Sequence, residues 1–229
     1  MITVKKDAIK VKDADGNMQS TGILTQLGGF GDGYGGSGND WINYISGVSF
    51  ETVTFPDGTE LDINIPNYTG SMLSFREMYG VKKIKVSTPN KDVLNNVTNM
   101  FMTSHSKDSL EEIDLSEFAL SFKIATNLFM SNNVLKTIIG ELDFSPAQST
   151  TNAFNGCALL ENVTLKKDTV NVNISFHLSP LLTDDSVQSI IDGLATVETA
   201  QTLTLNAKVK AKLTDEQIAT ITSKNWTLA

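Results

Sequence analysis

One apolar triplet, with two residues between its first two members and one between its last two, returns five times along the chain and restricts the fold more than any other feature. Its occurrences are Phe50/Val53/Phe55, Val81/Ile84/Val86, Leu110/Ile113/Leu115, Leu135/Ile138/Gly140 and Leu160/Val163/Leu165, at spacings of 31, 29, 25 and 25 residues. An aromatic stands six residues ahead of three of them (Phe75, Phe129, Phe154), and Phe101 stands nine ahead of Leu110 because residues 104–108 lengthen that loop. A short strand buries alternate side chains on one face, so each triplet reads as a strand and each aromatic as a contribution from the opposite wall. No such unit can bury its apolar face alone, so neighbours must stack. The expectation is a right-handed solenoid of parallel strands with Ile84, Ile113, Ile138 and Val163 in one core column. Gly140 breaks the pattern and points to a local bulge.

The segment Leu110–Phe118, with Ile124, Leu128 and Phe129 after it, resembles the surface-protein-type (BspA-like) leucine-rich repeats. The stretch Ala153–Leu165 is similar to their Ala-Phe-x-x-Cys pattern followed by Leu-x-x-Val-x-Leu. The likeness spans roughly residues 48–176 and is best in the last three units. It implies an α/β fold, a short leucine-rich-repeat solenoid, and roles in recognition; the family occurs on bacterial cell surfaces and in phage genes.

Three regions are expected. Residues 48–180 form the repeat region, and residues 181–229 a C-terminal α/β cap. In the latter, Thr183 precedes two acidic residues and an apolar face of Val187, Ile190, Ile191 and Leu194 at helical spacing. Thr202–Leu205 alternates as a strand, and Thr214 with Gln217 makes a capping box. The wording of residues 182–194 and 224–228 is similar to C-termini of repeat proteins encoded in phage structural gene clusters of Gram-positive bacteria. Residues 1–47 are an N-terminal β-rich segment, with strands over Ile2–Val11 and near Ile23 and Leu24, a turn at Asp13–Asn17, and a glycine-rich stretch over residues 28–41. Its short strands cannot make a core of their own, so they are expected to dock on other chains or fold back onto the first repeat.

Charge and composition narrow the function. A net charge of −8 repels nucleic acid and anionic lipid. No run approaches eighteen apolar residues, and none follows the N-terminal lysines, so neither a membrane span nor a secretory leader is expected. Asp13, Asp15 and Asn17 imitate the start of a calcium loop, but Leu24 occupies the place of its closing glutamate, so a hairpin turn is the better reading. The glycines lack the lysine of a phosphate loop. His105 and His177 have no metal-ligand spacing, and no metal or cofactor is expected. Cys157 falls in the repeat slot, where it is expected to be buried and inert rather than paired with His177; Cys157→Ser is expected to cost about 1–3 kcal/mol. Glu112 and Asp114 could suggest a glycosidase pair, yet a parallel ladder sets them beside Lys83 and Lys85.

No catalytic apparatus emerges. The expectation is a non-enzymatic protein of a phage virion (tail, baseplate or receptor-binding accessory), acting as a homo-oligomer on other virion proteins or a host receptor. The alternative is a bacterial cell-surface adhesion module. The candidate partner-binding residues are Phe30, Tyr34, Trp41 and Tyr44, aromatics set in or beside a pliable loop.

Overall fold

The computed structural model describes residues 9–12, 18–20, 54–64, 75, 79–87, 97–103, 109–118 and 121–229. Alternating patterns produce strands β1 (Ile9–Lys12), β2 (Met18–Ser20), β3 (Thr54–Asn64), β4 (Tyr79–Ser87), β5 (Glu112–Asp114), β6 (Thr137–Leu142) and β7 (Asn162–Leu165). They make a seven-stranded sheet in the order β2-β1-β3-β4-β5-β6-β7, in which β3 through β7 run parallel. A second, parallel sheet has the order β10-β9-β8, from β8 (Ile174–Phe176), β9 (Gln201–Leu205) and β10 (Trp226–Leu228). The described helices are α1 (Asp184–Gly193), α2 (Ala207–Lys210) and α3 (Asp215–Ser223), so the fold is α/β with parallel sheets and few helices.

The strand register aligns like residues. Leu61 pairs with Ile84, Ile84 with Ile113, and Ile113 with Ile138, and all four are buried. Thr137 pairs with Asn162, one residue ahead of the buried Ile138 and Val163. The first strand departs from expectation. Phe50 and Val53 lie outside the described residues, and β3 meets β4 through Leu61, with Glu60 opposite Lys83 and Asp62 opposite Lys85. The residue matching Ile84 is therefore Leu61 and not Val53, with Glu60 and Asp62 on the outward side.

Gly140 does mark an irregularity: the β6–β7 register shifts between Thr137 and Glu141, and Leu142, opposite Leu165, takes the inward place that Gly140 leaves. Its φ is +105°, and a Cβ there would lie 2.9 Å from the Leu115 carbonyl carbon, so only glycine fits.

The opposite wall is aromatic. Phe75, Phe101, Phe129, Phe154 and Phe176 stack in one file with ring centroids 5.5, 5.6, 5.4 and 4.3 Å apart. Phe176, on β8, extends the file by one ring beyond the sequence reading. Backbone bonds tie the layers together, including Phe101 N–H to the Leu128 carbonyl and Phe129 N–H to the Ala153 carbonyl, both 2.8 Å. Three residues beyond a ring, Asn132, Cys157 and Ser179 each send a side-chain donor to a carbonyl of the layer before: Asn132 Nδ2 to Phe101 O (2.6 Å), Cys157 Sγ to Phe129 O (3.2 Å), and Ser179 Oγ to Cys157 O (3.1 Å). Asn99, Asn127 and Asn152 adopt positive φ, and their side-chain amides link head to tail, Asn127 Nδ2 to Asn99 Oδ1 at 2.9 Å and Asn152 Nδ2 to Asn127 Oδ1 at 3.3 Å.

Helix α1 begins as its sequence dictates, with the Thr183 hydroxyl accepting from Ser186 N–H and Val187, Ile190 and Ile191 buried. It covers the edge of β7. The Val163 and Leu165 amides, which have no further strand to pair with, donate to the Ser186 and Ser189 hydroxyls at 3.0 and 2.9 Å. Gly193 lets the helix end approach Leu165, since a Cβ there would lie 2.8 Å from that side chain. Lys224 then clamps the end of α1, its amine bonding the carbonyls of Ile191, Asp192 and Leu194 and, at 2.8 Å, the Asp168 carboxylate. The capping box of Thr214 and Gln217 opens α3, and Trp226 on β10 is buried with its indole N–H on the Ala195 carbonyl at 2.8 Å. Near the N-terminus, Lys12 pairs with Met18 across the Asp13–Asn17 segment, and β1 adds antiparallel to β3. A second strand falls at Met18–Ser20, and Ile23 and Leu24 lie outside the described residues.

Candidate functional sites: the strand face and an outer groove

Two polar surfaces follow from this arrangement. The first is the outward face of β3 through β7. Alternation along β4 turns Lys83 and Lys85 outward, and the register puts acids on both flanks, Glu60 and Glu112 beside Lys83, Asp62 and Asp114 beside Lys85. Lys83 meets Glu112 at 3.4 Å. Lys85 reaches past Asp114 to Glu117 at 2.6 Å, while Asp114 accepts from the Ser116 amide and hydroxyl at 2.9 and 2.6 Å. Beside this row the Glu111 carboxylate sits between Lys82 at 3.5 Å and Lys136 at 2.9 Å. The bond to Glu117 raises the Lys85 pKa, and the bond from Lys136 holds that of Glu111 below its ordinary range. These side chains are mostly a third or more exposed, so each pair contributes only about 0.2–1 kcal/mol. Such a face pairs opposite charges across the strands, as read from Glu112 and Asp114, with carboxylates in excess of lysines.

Acid–base chemistry at neutral pH calls for a carboxyl raised above its usual range. Among the described residues, the carboxylates with a resolved shift all move the other way. Glu111 is one. Burial works against the charged form of Asp143, but bonds from Lys166 and Ser145 outweigh it, and a bond from Lys224 lowers Asp168. Cys157 is fully buried with its thiol on the Phe129 carbonyl, whereas exposed His177 meets the Ser175 hydroxyl at 3.0 Å through Nδ1. The two side chains bond different neighbours. Among the described residues no cluster of three or more His, Cys, Asp or Glu side chains could hold a metal, and no helix is long and apolar enough to cross a membrane.

The second surface is a groove of about 490 Å³ on the outer side of the aromatic wall, where the layer ending in Phe154 meets the second sheet. Residues 148–152 supply one side, residues 172–175 the floor, and Gln201, Thr202 and Thr204 the other side. Its lining is hydroxyl and amide groups with Val172 and Ile174, and it holds no charged and no aromatic residue. The junction is made by side chains: the Thr150 hydroxyl donates to the Asn173 carbonyl, and Asn173 Oδ1 accepts from Thr202 N–H at 2.7 Å. Ser149 Oγ lies 3.0 Å from the Thr126 hydroxyl and 3.2 Å from that of Thr151.

Sequence reasoning missed this groove, because its serines, threonines and asparagines read as turn formers and come from three distant segments. The signal was the recurrence of hydroxyl and amide residues at Ser149/Thr151, Asn173/Ser175 and Thr202/Thr204. The expected partner-binding residues Phe30, Tyr34, Trp41 and Tyr44 lie outside the described residues, as do Asp13, Asp15, Asn17 and His105. No protein-family model, no curated protein and no solved structure matches the chain.

Proposed function

We propose that the chain is a short leucine-rich-repeat solenoid that serves as a non-enzymatic structural and binding component of a bacteriophage particle, in its tail, baseplate or receptor-binding apparatus. The observation that carries the architectural half is the double file, Leu61, Ile84, Ile113 and Ile138 on one wall and the five stacked phenylalanines on the other, each in chain order. A stack of this kind offers long, rigid surfaces for recognition. The phage half rests on the likeness of residues 182–194 and 224–228 to C-termini of phage-encoded repeat proteins. Residues 1–47 carry attachment in this reading, as a homo-oligomer or on other virion proteins; β1 already adds to β3 within the same chain, and Phe30, Tyr34, Trp41 and Tyr44 supply the anchors.

The BspA-like resemblance of Ala153–Leu165 also suits a bacterial surface adhesion module, whose ligand would lie on another cell. Tryptic peptides of this chain in purified particles, with density for it in images of the intact assembly, are the expected result. Finding it only in the wall fraction of uninfected cells would overturn the phage reading in favour of the adhesion module.

A further inference from the structure

We propose that the outer groove between residues 148–152 and the second sheet binds an uncharged oligosaccharide. The lining selects the ligand class by what it contains. With no lysine, arginine or histidine among the lining residues it has no counter-charge for a phosphate, sulfate or carboxylate, and with no aspartate or glutamate it has none for a cation. With Ile174 buried in the core and no aromatic present, it offers little to a hydrophobic ligand. Hydroxyls and carboxamides remain. Each hydroxyl donates and accepts, and each carboxamide does both through separate atoms, which is the bonding complement of a sugar's hydroxyl groups.

An extended peptide would ask for something else, since strand addition needs unpaired backbone at an edge. On the second sheet that backbone is engaged: β8 pairs with β9, setting Ile174 against Leu203 and Ser175 against Thr204, and the Asn173 carbonyl accepts from Thr150. The side chains carry the spare capacity. Among the described residues the Thr202 and Thr204 hydroxyls and the Gln148 carboxamide have no partner, and Asn173, with its oxygen held by Thr202 N–H, keeps its amino group unengaged. Ser149 and Asn173 are already fixed by their bonds, so a ligand orders few side chains on binding. Parallel strands lie about 4.8 Å apart, so the rows at Thr202/Thr204 and Asn173/Ser175 repeat on the scale of one pyranose unit. A groove without a stacking platform binds weakly, with Kd on the order of 1 mM.

The test is a ¹H–¹⁵N titration of the full chain with linear glucose and N-acetylglucosamine oligosaccharides, carried to roughly ten times that Kd. A sialylated trisaccharide, a heparin-derived oligosaccharide and a glycine–serine peptide serve as comparisons. At least one neutral oligosaccharide is expected to shift the amides of Ser149, Asn173, Thr202 and Thr204, and the charged ligands and the peptide are not. Thr202→Val with Thr204→Val is expected to weaken binding at least about tenfold without moving the thermal midpoint, and Gln148→Ala, on the other side of the groove, to weaken it severalfold. The proposal is overturned if no neutral member shifts these amides, if only a charged ligand or the peptide does, or if the folded variants bind as the parent does. Localisation in a particle or on a cell does not enter these readouts, so this inference and the preceding one fail separately.

Discussion

The strand wall and the aromatic wall enclose the same core, yet they tolerate disturbance differently. On the strand wall the sheet accommodates two extra residues in β6 by a register shift, and Leu142 then restores the inward pattern. Its outward charges, beside β4 and β5, form solvated ion pairs that hold little energy. On the aromatic wall, rings follow one another at 4.3 to 5.6 Å, and each of Asn132, Cys157 and Ser179 is bonded to the layer before it. A sheet can bulge outward into water; a stack of rings has no such outlet. Regularity in this molecule is therefore enforced from the aromatic side.

The widest separation between the walls should come from core truncation. Phe129→Ala is expected to cost about 3–5 kcal/mol, because it opens a gap between two stacked neighbours, whereas Ile113→Val on the strand wall should cost about 0.5–1.5 kcal/mol. Equal losses in chemical denaturation would erase the distinction. Gly140→Val tests the limit of the strand wall's tolerance: with positive φ and the Leu115 backbone in the way, about 3 kcal/mol should be lost. A variant as stable as the parent would mean that the bulge can relax. Lys224→Met removes the charged clamp on the end of α1 and should cost about 2 kcal/mol, read as a lowered denaturation midpoint.

Smaller effects refine the picture. Cys157→Ser should cost less than about 1 kcal/mol, because the slot is a bonded one: the thiol donates to Phe129 O and serine fills the same place at Ser179. That revises the larger loss expected from an apolar slot, and the native thiol should still resist bulky reagents. The smallest effect is acid sensitivity beside β5, β6 and β7. Glu111, Asp143 and Asp168 have lowered pKa values, so the unfolded chain takes up their protons first as pH falls. Their contribution is complete above the ordinary values of 3.8 and 4.5 and is lost as pH falls through the lower folded values. Midpoints between pH 5 and pH 3 should drop modestly, and less in high salt.

Periodicity made most of the parallel register legible, since Ile84, Ile113, Ile138 and Val163 recur at nearly constant spacing in apolar company. It failed at β3. Phe50/Val53/Phe55 is more apolar than the stretch ending in Leu61 and Ile63, and counting apolar residues cannot see that Glu60 and Asp62 match Lys83 and Lys85 in charge. The helix starts at Thr183 and Thr214 were readable because capping is local chemistry. Ser186 and Ser189 were not, for a helical serine betrays nothing of the strand edge it serves. The outer groove was hidden for a similar reason: its threonines acquire meaning only when three segments meet.

The head-to-tail amides of Asn99, Asn127 and Asn152 have one more consequence. Asn127 accepts from Asn152 and donates to Asn99, so the row has a direction. Excising residues 114–138 would join Ile113 to Ile139, which already stands opposite Asp114, and every later residue would keep its place in the count. The row also accepts unequal spacing, since 28 residues separate Asn99 from Asn127 and 25 separate Asn127 from Asn152. What the row fixes is therefore polarity, while length can vary between one amide and the next.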